Sequence, residues 1–143
     1  EISESAVGEV LELASSMKSV HLLLVENAAY QTRQLEGFTF YVDKYVEVRK
    51  QSGMDYLAPF KEKLEEAGLE VTAEVGFGDP VPVIEKAVKR LRSDMVILGG
   101  NSGGWLERHL GLAKYGRRLS RKLSSTVLTV QPRIRKEKVP KAA

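Results

Sequence analysis

The chain has 143 residues, 43% of them hydrophobic and 29% charged, which excludes wholesale disorder and fits one domain with a sizeable core. It contains no cysteine, which excludes disulfides, thiolate metal sites and cysteine nucleophiles and fits a reducing compartment. The formal charge of +3 is small, and much of the basic excess lies in the tail 133–141, so a pI of about 9.1 says little for a nucleic-acid partner. No apolar run approaches the roughly 20 residues that span a bilayer, and no signal peptide is visible. A start at Glu1 without an initiator Met is the expectation for a processed, truncated or excised piece.

Ser3-Glu4-Ser5 precedes apolar positions at Ala6, Val10, Leu13, Ala14 and Met17, which predicts a helix with one apolar stripe and Ser3 or Ser5 as N-cap. The continuous run Val20-His21-Leu22-Leu23-Leu24-Val25 predicts a strand buried on both faces. Residues 26–53 read two ways. Phe38 to Val48 has β propensity and a hairpin turn at Asp43-Lys44, but its apolar positions nearly satisfy a helix, and the alternating fold favours the helix. Met54 to Ala67 predicts a helix on Leu57, Phe60 and Leu64, stopped by Gly68, with Pro59 near its first turn or at a kink.

Leu69 to Val75 alternates as a strand, and Gly76-Phe77-Gly78 is read as the turn after it. Asp79 is a good N-cap and Pro80 a good first helical residue, with Ile84, Ala87, Val88 and Leu91 as the buried stripe that follows. Met95 to Leu98 is the next strand. Leu112, Tyr115, Leu119 and Leu123 mark a last helix with a basic outer face at Lys114, Arg117, Arg118 and Arg121, and Thr126 to Val130 is the final strand. This alternation predicts an α/β fold: an open, doubly wound parallel sheet sandwiched by helices. The order opens on a helix, so a first strand is expected to be missing.

The run Met95 to Gly104 carries the chemistry. An apolar strand ends in Gly99-Gly100-Asn101-Ser102-Gly103-Gly104 and a basic helix follows. Ligands in such sheets bind at the carboxyl ends of strands, where glycines let main-chain N–H groups approach a phosphate. Functional chemistry is therefore expected between Gly99 and Lys114.

These residues resemble the universal stress protein family over nearly the whole chain. Gly78-Asp79-Pro80 looks like the family's glycine-x-proline turn, Asp94 to Gly104 like its strand and first phosphate turn, and Thr126 to Val130 like its last strand. Glu1 to Ala6 is similar to the segment after the family's first strand. The resemblance implies that the missing strand is the central one, which in the family carries an aspartate at adenine. It also implies a fold of the adenine-nucleotide α-hydrolase-like type.

Nucleotide-binding members have Gly, two residues, Gly, nine residues, then Gly followed by Ser or Thr. Gly100 and Gly103 match the first half, but the second half falls on Ala113-Lys114. Val25 and Gly99 match positions near the base or ribose. The resemblance thus implies a degenerate adenine-nucleotide pocket, for ATP or AMP, formed by Val25, Gly99, Gly100, Gly103, Ala113 and Lys114. In it Ala113 offers a main-chain N–H and Lys114 an ammonium in place of a hydroxyl. Magnesium is expected only with nucleotide. The resemblance further implies a cytoplasmic, regulatory homodimer joined through Thr126 to Val130, not an enzyme, with weak ATP hydrolysis as the remote alternative. The competing reading is an interaction domain without nucleotide, such as the cytosolic part of a transporter or permease.

Other residues favour ordinary roles. His21 fits a packing position, His109 an exposed loop, and the basic helix face a solvated surface. The tail 133–143 is expected to be a solvated end outside the domain 1–132, meeting a membrane only within a larger transporter. Trp105 and the cluster Phe38, Phe40, Tyr41 and Tyr45 fit core or interface. Two distant histidines give no metal-ligand spacing, and Ser102 lacks an assignable base.

Overall fold

The computed structural model describes the backbone of residues 2–26, 39–99 and 105–129, and within them the side chains of 6–26, 43–99 and 114–128. Helices and strands alternate as the periodicity predicts. The order is α1 (Ile2–Leu13), β1 (Ser19–Glu26), α2 (Thr39–Glu66), β2 (Glu70–Phe77), α3 (Pro80–Leu91), β3 (Met95–Leu98), α4 (Trp105–Lys122) and β4 (Thr126–Thr129). A turn of 3-10 helix at Ala14–Ser16 closes α1.

The strands pair in parallel, β1 with β2 from Ser19 opposite Glu70 to Glu26 opposite Phe77, and β3 with β4 from Met95 opposite Thr126 to Leu98 opposite Thr129. Among the described residues these are two separate two-stranded sheets, with no ladder between β1 and β3. The pairs nevertheless run the same way. The first turn of α3 follows the end of β2, and its Val81 packs with Leu98 at the end of β3. The carboxyl ends of β2 and β3 therefore lie together.

Side-chain alternation assigns the two faces. On one face Val20 and Leu22 of β1, Val71 of β2 and Ile97 of β3 pack with Val7 and Val10 of α1 and Leu64 of α2. On the other, Val96 and Leu98 of β3 pack with Val81 of α3 and Leu119 and Tyr115 of α4. The second face of β1 and β2 is also covered by α3, since a Cβ on Gly76 would meet Val83 Cγ1 at 2.6 Å and Leu23 Cδ1 at 3.4 Å. α1 and α2 thus cover one face, α3 and α4 the other.

Several boundaries differ from the sequence reading for local reasons. α1 begins at Ile2, which puts Ser3 and Ser5 inside it, and its buried positions are Val7 and Val10. The described part of the ambiguous stretch resolves as helix and fuses with the next one, so that 39–66 is a single α2. Pro59 lies in its interior on the solvent side, where the missing N–H toward residue 55 is tolerated. β2 runs on through Gly76 and Phe77, leaving only Gly78 (φ 129°) to turn the chain. Leu91 is 41% exposed at the end of α3, and Val81 takes its place in the buried stripe.

The caps follow their chemistry. Gly68 (φ 88°) ends α2 in a Schellman motif, its N–H on Glu65 O at 2.9 Å and the Leu69 N–H on Leu64 O at 3.3 Å. Asp79 caps α3, accepting from the Val81 N–H at 3.3 Å, with Pro80 as first residue. α3 ends on Arg92 in the left-handed region (φ 52°), a conformation glycine adopts without steric cost. Arg92→Gly should raise unfolding stability by about 1 kcal/mol, read as a higher urea midpoint at unchanged slope.

Gly53 is the closest approach of α2 to the sheet. A Cβ there would stand 2.6 Å from Val75 Cγ2 and 3.1 Å from Leu24 Cδ2. Alanine gains roughly 1 kcal/mol of helix propensity, but a β-branched valine cannot swing aside, and overpacking costs about 1–3 kcal/mol. Gly53→Ala should therefore lower the urea midpoint, against the propensity trend.

Candidate functional site

Two of the expected site residues, Val25 and Gly99, lie at the carboxyl ends of strands. Val25 is half-buried one residue before the end of β1, opposite Gly76. The next residue ties the strand ends together: the Glu26 carbonyl accepts the Gly78 N–H at 2.9 Å. Its carboxylate takes two hydrogen bonds from Arg49 of α2, from Nε and from Nη2, each at 2.8 Å. That bidentate hydrogen bonding, with the attraction that accompanies it, raises the guanidinium pKa above its ordinary value. The Glu26–Arg49 pair was not anticipated. Its one signal in the sequence is a carboxylate directly after the apolar residues Leu22 to Val25.

Gly99 is exposed immediately after β3. Gly100 and Gly103 lie outside the described residues, as does Ser102. Lys114 is exposed on α4. The base of α4 is fixed at the amino end of β3, where the Thr126 N–H donates to Asp94 O at 3.1 Å and the Ser125 hydroxyl to Ser93 O at 2.6 Å. Lys114 lies eight residues, about 12 Å, up the helix from Lys122. The four residues of β3 climb about 10 Å. Gly99 thus follows β3 directly, and Lys114 lies on the helix that comes after it in the chain.

Ala113 does not serve as expected. It lies in the interior of α4, eight residues after Trp105. Its N–H belongs to the helix ladder and points to the carbonyl of residue 109, so it is not free to donate to a phosphate. Of the altered pair only the Lys114 ammonium stays available. Trp105 opens α4, and His109 falls within that helix instead of a loop. Phe40 and Tyr41 fall in α2, Tyr45 is half-buried there, and Phe38 lies outside the described residues.

A second polar cluster sits near the opposite end of the strands. His21 Nδ1 is 2.6 Å from Thr72 Oγ1, and Nε2 is 3.5 Å from Glu74 Oε1 without forming a hydrogen bond. Arg90 Nη2 donates to the same Glu74 oxygen at 2.6 Å. These contacts clip α3 to β1 and β2 and give His21 the packing role expected of it. Among the described residues no group of three or more histidines, aspartates or glutamates is arranged to hold a metal, and no helix is long and apolar enough to cross a membrane.

The sequence pattern of the universal stress protein family matches residues 1–131, and the chain belongs to that family. No curated protein matches it. Among solved structures it is similar to hypothetical protein MJ0577, with TM-score 0.74 and 20% identity over 92% of this chain and 89% of that one. It is also similar to hypothetical protein PH0823, with TM-score 0.62 and 25% identity over 91% and 87%. A universal stress protein family protein from Arabidopsis thaliana, solved with AMP bound, matches with TM-score 0.59 and 22% identity over 96% and 82%. The fold is the doubly wound α/β fold of this family.

The Glu74 cluster has a pH signature. The hydrogen bond from Arg90, opposed by burial and aided by attraction to His21, lowers the Glu74 pKa. Its contribution is complete above the unfolded glutamate value of about 4.3 and is lost as pH falls through the lower folded value. Arg90→Gln should destabilise the domain most near neutral pH, and urea midpoints of the two proteins should converge below about pH 3. A difference that stays constant across that range removes the pairing.

Proposed function

We propose that this domain is a regulatory, ligand-sensing module that takes an adenine nucleotide, AMP or ATP, at the carboxyl ends of its strands. Val25 and Gly99 flank the base and ribose, main-chain N–H groups at Gly100 and Gly103 cradle phosphate, and Lys114 supplies the positive charge. The observation that carries this reading is Gly99 directly after β3, with Lys114 exposed on the helix that follows it, in a family that includes a protein solved with AMP bound.

The mechanism is population shift. Nucleotide bound better by one assembly or partner-bound state biases that state, by no more than the difference in affinity. A homodimer through Thr126 to Val130 supplies such a state. The outer edge of β4 has no strand partner among the described residues, and Leu128 there is 37% exposed. We place the domain in the cytoplasm, with magnesium entering only on a nucleotide and with no catalytic role.

One observation favours a second reading, a domain that binds partners without nucleotide. Ala113-Lys114 replaces the family's Gly-Ser/Thr pair, and Ala113 has no free N–H inside α4. Calorimetric titration with AMP and ATP, with and without magnesium, separates the two. The sensor reading expects heat that vanishes in Gly100→Val. Lys114→Met should weaken ATP by on the order of tenfold, about 1.4 kcal/mol, and AMP by less. Silence with every nucleotide, together with an unperturbed fold, favours the partner-binding domain. Steady phosphate release would restore the enzymatic alternative.

A further inference from the structure

The helices of this chain handle charge in two ways. On α2 and α3 opposite charges stand one turn apart and pair, Lys61 with Glu65 at 3.6 Å and Lys89 with Glu85 at 2.9 Å. On α4 they do not. Residues 114–122 hold Lys114, Arg117, Arg118, Arg121 and Lys122, and no acidic residue. Each cation therefore meets another four positions away: Lys114 with Arg118, Arg117 with Arg121, Arg118 with Lys122. Like charges at this spacing weaken a helix about as much as opposite charges support it. Across helices, only Lys122 has a carboxylate in reach among the described residues, Glu85 Oε2 at 3.8 Å.

The helix dipole accounts for part of this. Cations in the last turn face the partial negative charge at the carboxyl end, which favours Arg121 and Lys122 there. That influence fades within a turn, so it does not account for Lys114, Arg117 and Arg118. The face is also bare. At about 100° per residue, Lys114, Arg117 and Arg121 fall within about 60° of one another, in a row about 10 Å long. Arg117, Ser120, Arg121 and Lys122 are exposed, while Leu119 is fully buried and Tyr115 packs against the same core. No exposed side chain from 114 to 122 is apolar or aromatic.

We propose that this face of α4 is a docking surface for duplex nucleic acid, gripped through its phosphate backbone without regard to sequence. A duplex supplies what the row lacks. It carries fixed negative charge, one per about 1.7 Å of its axis, on phosphates that a guanidinium takes with two parallel N–H groups. Other anionic surfaces fit less well. A helix that lies on a lipid surface sinks apolar side chains into it, and those of α4 are spent on the core beneath it. A single strand is held by aromatic side chains stacked on its bases, and this face has none. Net charge misses the site because residues 1–104 offset it with a surplus of acids. The docking surface does not rest on the nucleotide pocket: its carriers are Arg117, Arg118 and Arg121, none of them assigned there.

The test measures binding of the 143-residue chain to a mixed-sequence DNA duplex of about 20 base pairs, by fluorescence anisotropy across a salt series. The logarithm of the binding constant falls linearly with that of the salt concentration, with a slope near −0.9 for each phosphate neutralised. Arg117→Gln with Arg121→Gln should make the slope shallower by about 1.8 and weaken binding at low salt by on the order of tenfold or more. Either single change should make it shallower by about 0.9. Arg117→Lys with Arg121→Lys should preserve the slope, since the charge is kept. Lys61→Gln with Lys86→Gln removes the same charge from α2 and α3 and should also leave the slope as it was. The glutamine pair on α4 relieves repulsion, so its urea midpoint should not fall. Residues 133–141 hold five further cations and one acid, so a third protein carries Arg133→Gln, Arg135→Gln and Lys136→Gln. A slope lost with those three changes and untouched by the α4 pair overturns the docking surface, as does an equal loss from the Lys61 and Lys86 pair, or no binding at low salt. Equal or tighter binding of a single strand of that length, of polyglutamate or of phosphatidylserine vesicles overturns the duplex as occupant.

Discussion

The hydrogen-bonding demand of parallel strands governs this molecule. Each strand must satisfy main-chain groups along both edges, and its side chains must be covered on both faces. Facial coverage is met by two helical layers. Among the described residues edge satisfaction is met only within pairs, β1 with β2 and β3 with β4. What holds the pairs together is side-chain packing across the break, through Ile97 on one face and Val81 on the other. Such packing is non-directional and tolerates small shifts, whereas a ladder does not. The placement of Gly99 relative to Val25 therefore depends on the apolar faces of α1 and α3.

The chemistry at the sheet end inherits that constraint. A main-chain phosphate cradle works when its N–H groups are free and held by rigid neighbours. α4 is anchored at its lower end by Leu119, which is fully buried, and by the hydrogen bonds joining Ser93 and Asp94 to Ser125 and Thr126. That base fixes the lower end of the helix that carries Lys114. A lysine offers charge without directional matching, so in the proposed pocket the recognition of phosphate geometry falls to the glycines. The Glu26–Arg49 pair meanwhile holds another cation at the end of β1, already neutralised by its own carboxylate.

Most of the fold was legible because it is written in periodicity and caps. Asp79-Pro80 announces α3, Gly68 ends α2, and the apolar runs at 20–25 and 95–98 are strands. The failures have physical causes. Phe38 to Val48 satisfies both periods nearly equally, and only tertiary packing of α2 on the sheet decides. Leu91 fits a helical stripe but falls past the end of the surface that α3 covers. Apolar spacing reports which faces of a strand are covered and does not name its ladder partner, so the pairing of β1 with β2 and of β3 with β4 is read from the structure alone. Of the expected site residues, Val25 and Gly99 fall at strand ends, announced by the apolar runs before them, and Lys114 falls on α4. The fate of Ala113 was not announced, because it depends on α4 starting as early as Trp105.

The outer edges show what a tolerated open edge looks like in this chain. β4 is four residues long and includes two threonines, and β2 carries charged Glu70 and Glu74. Short length and charge are the usual protections against unwanted strand addition. The inner edge of β1 has neither along Leu22 to Val25, and β3 has no charge at all. Helix packing holds the two pairs together without a ladder: Val7 and Val10 of α1 pack with Val20 and Leu22 of β1 and with Ile97 of β3 on one face, and Val81 of α3 packs with Leu98 on the other. The strand ends at Val25 and Gly99 therefore take their places from helix packing, and the proposed nucleotide pocket inherits the separation that this packing sets.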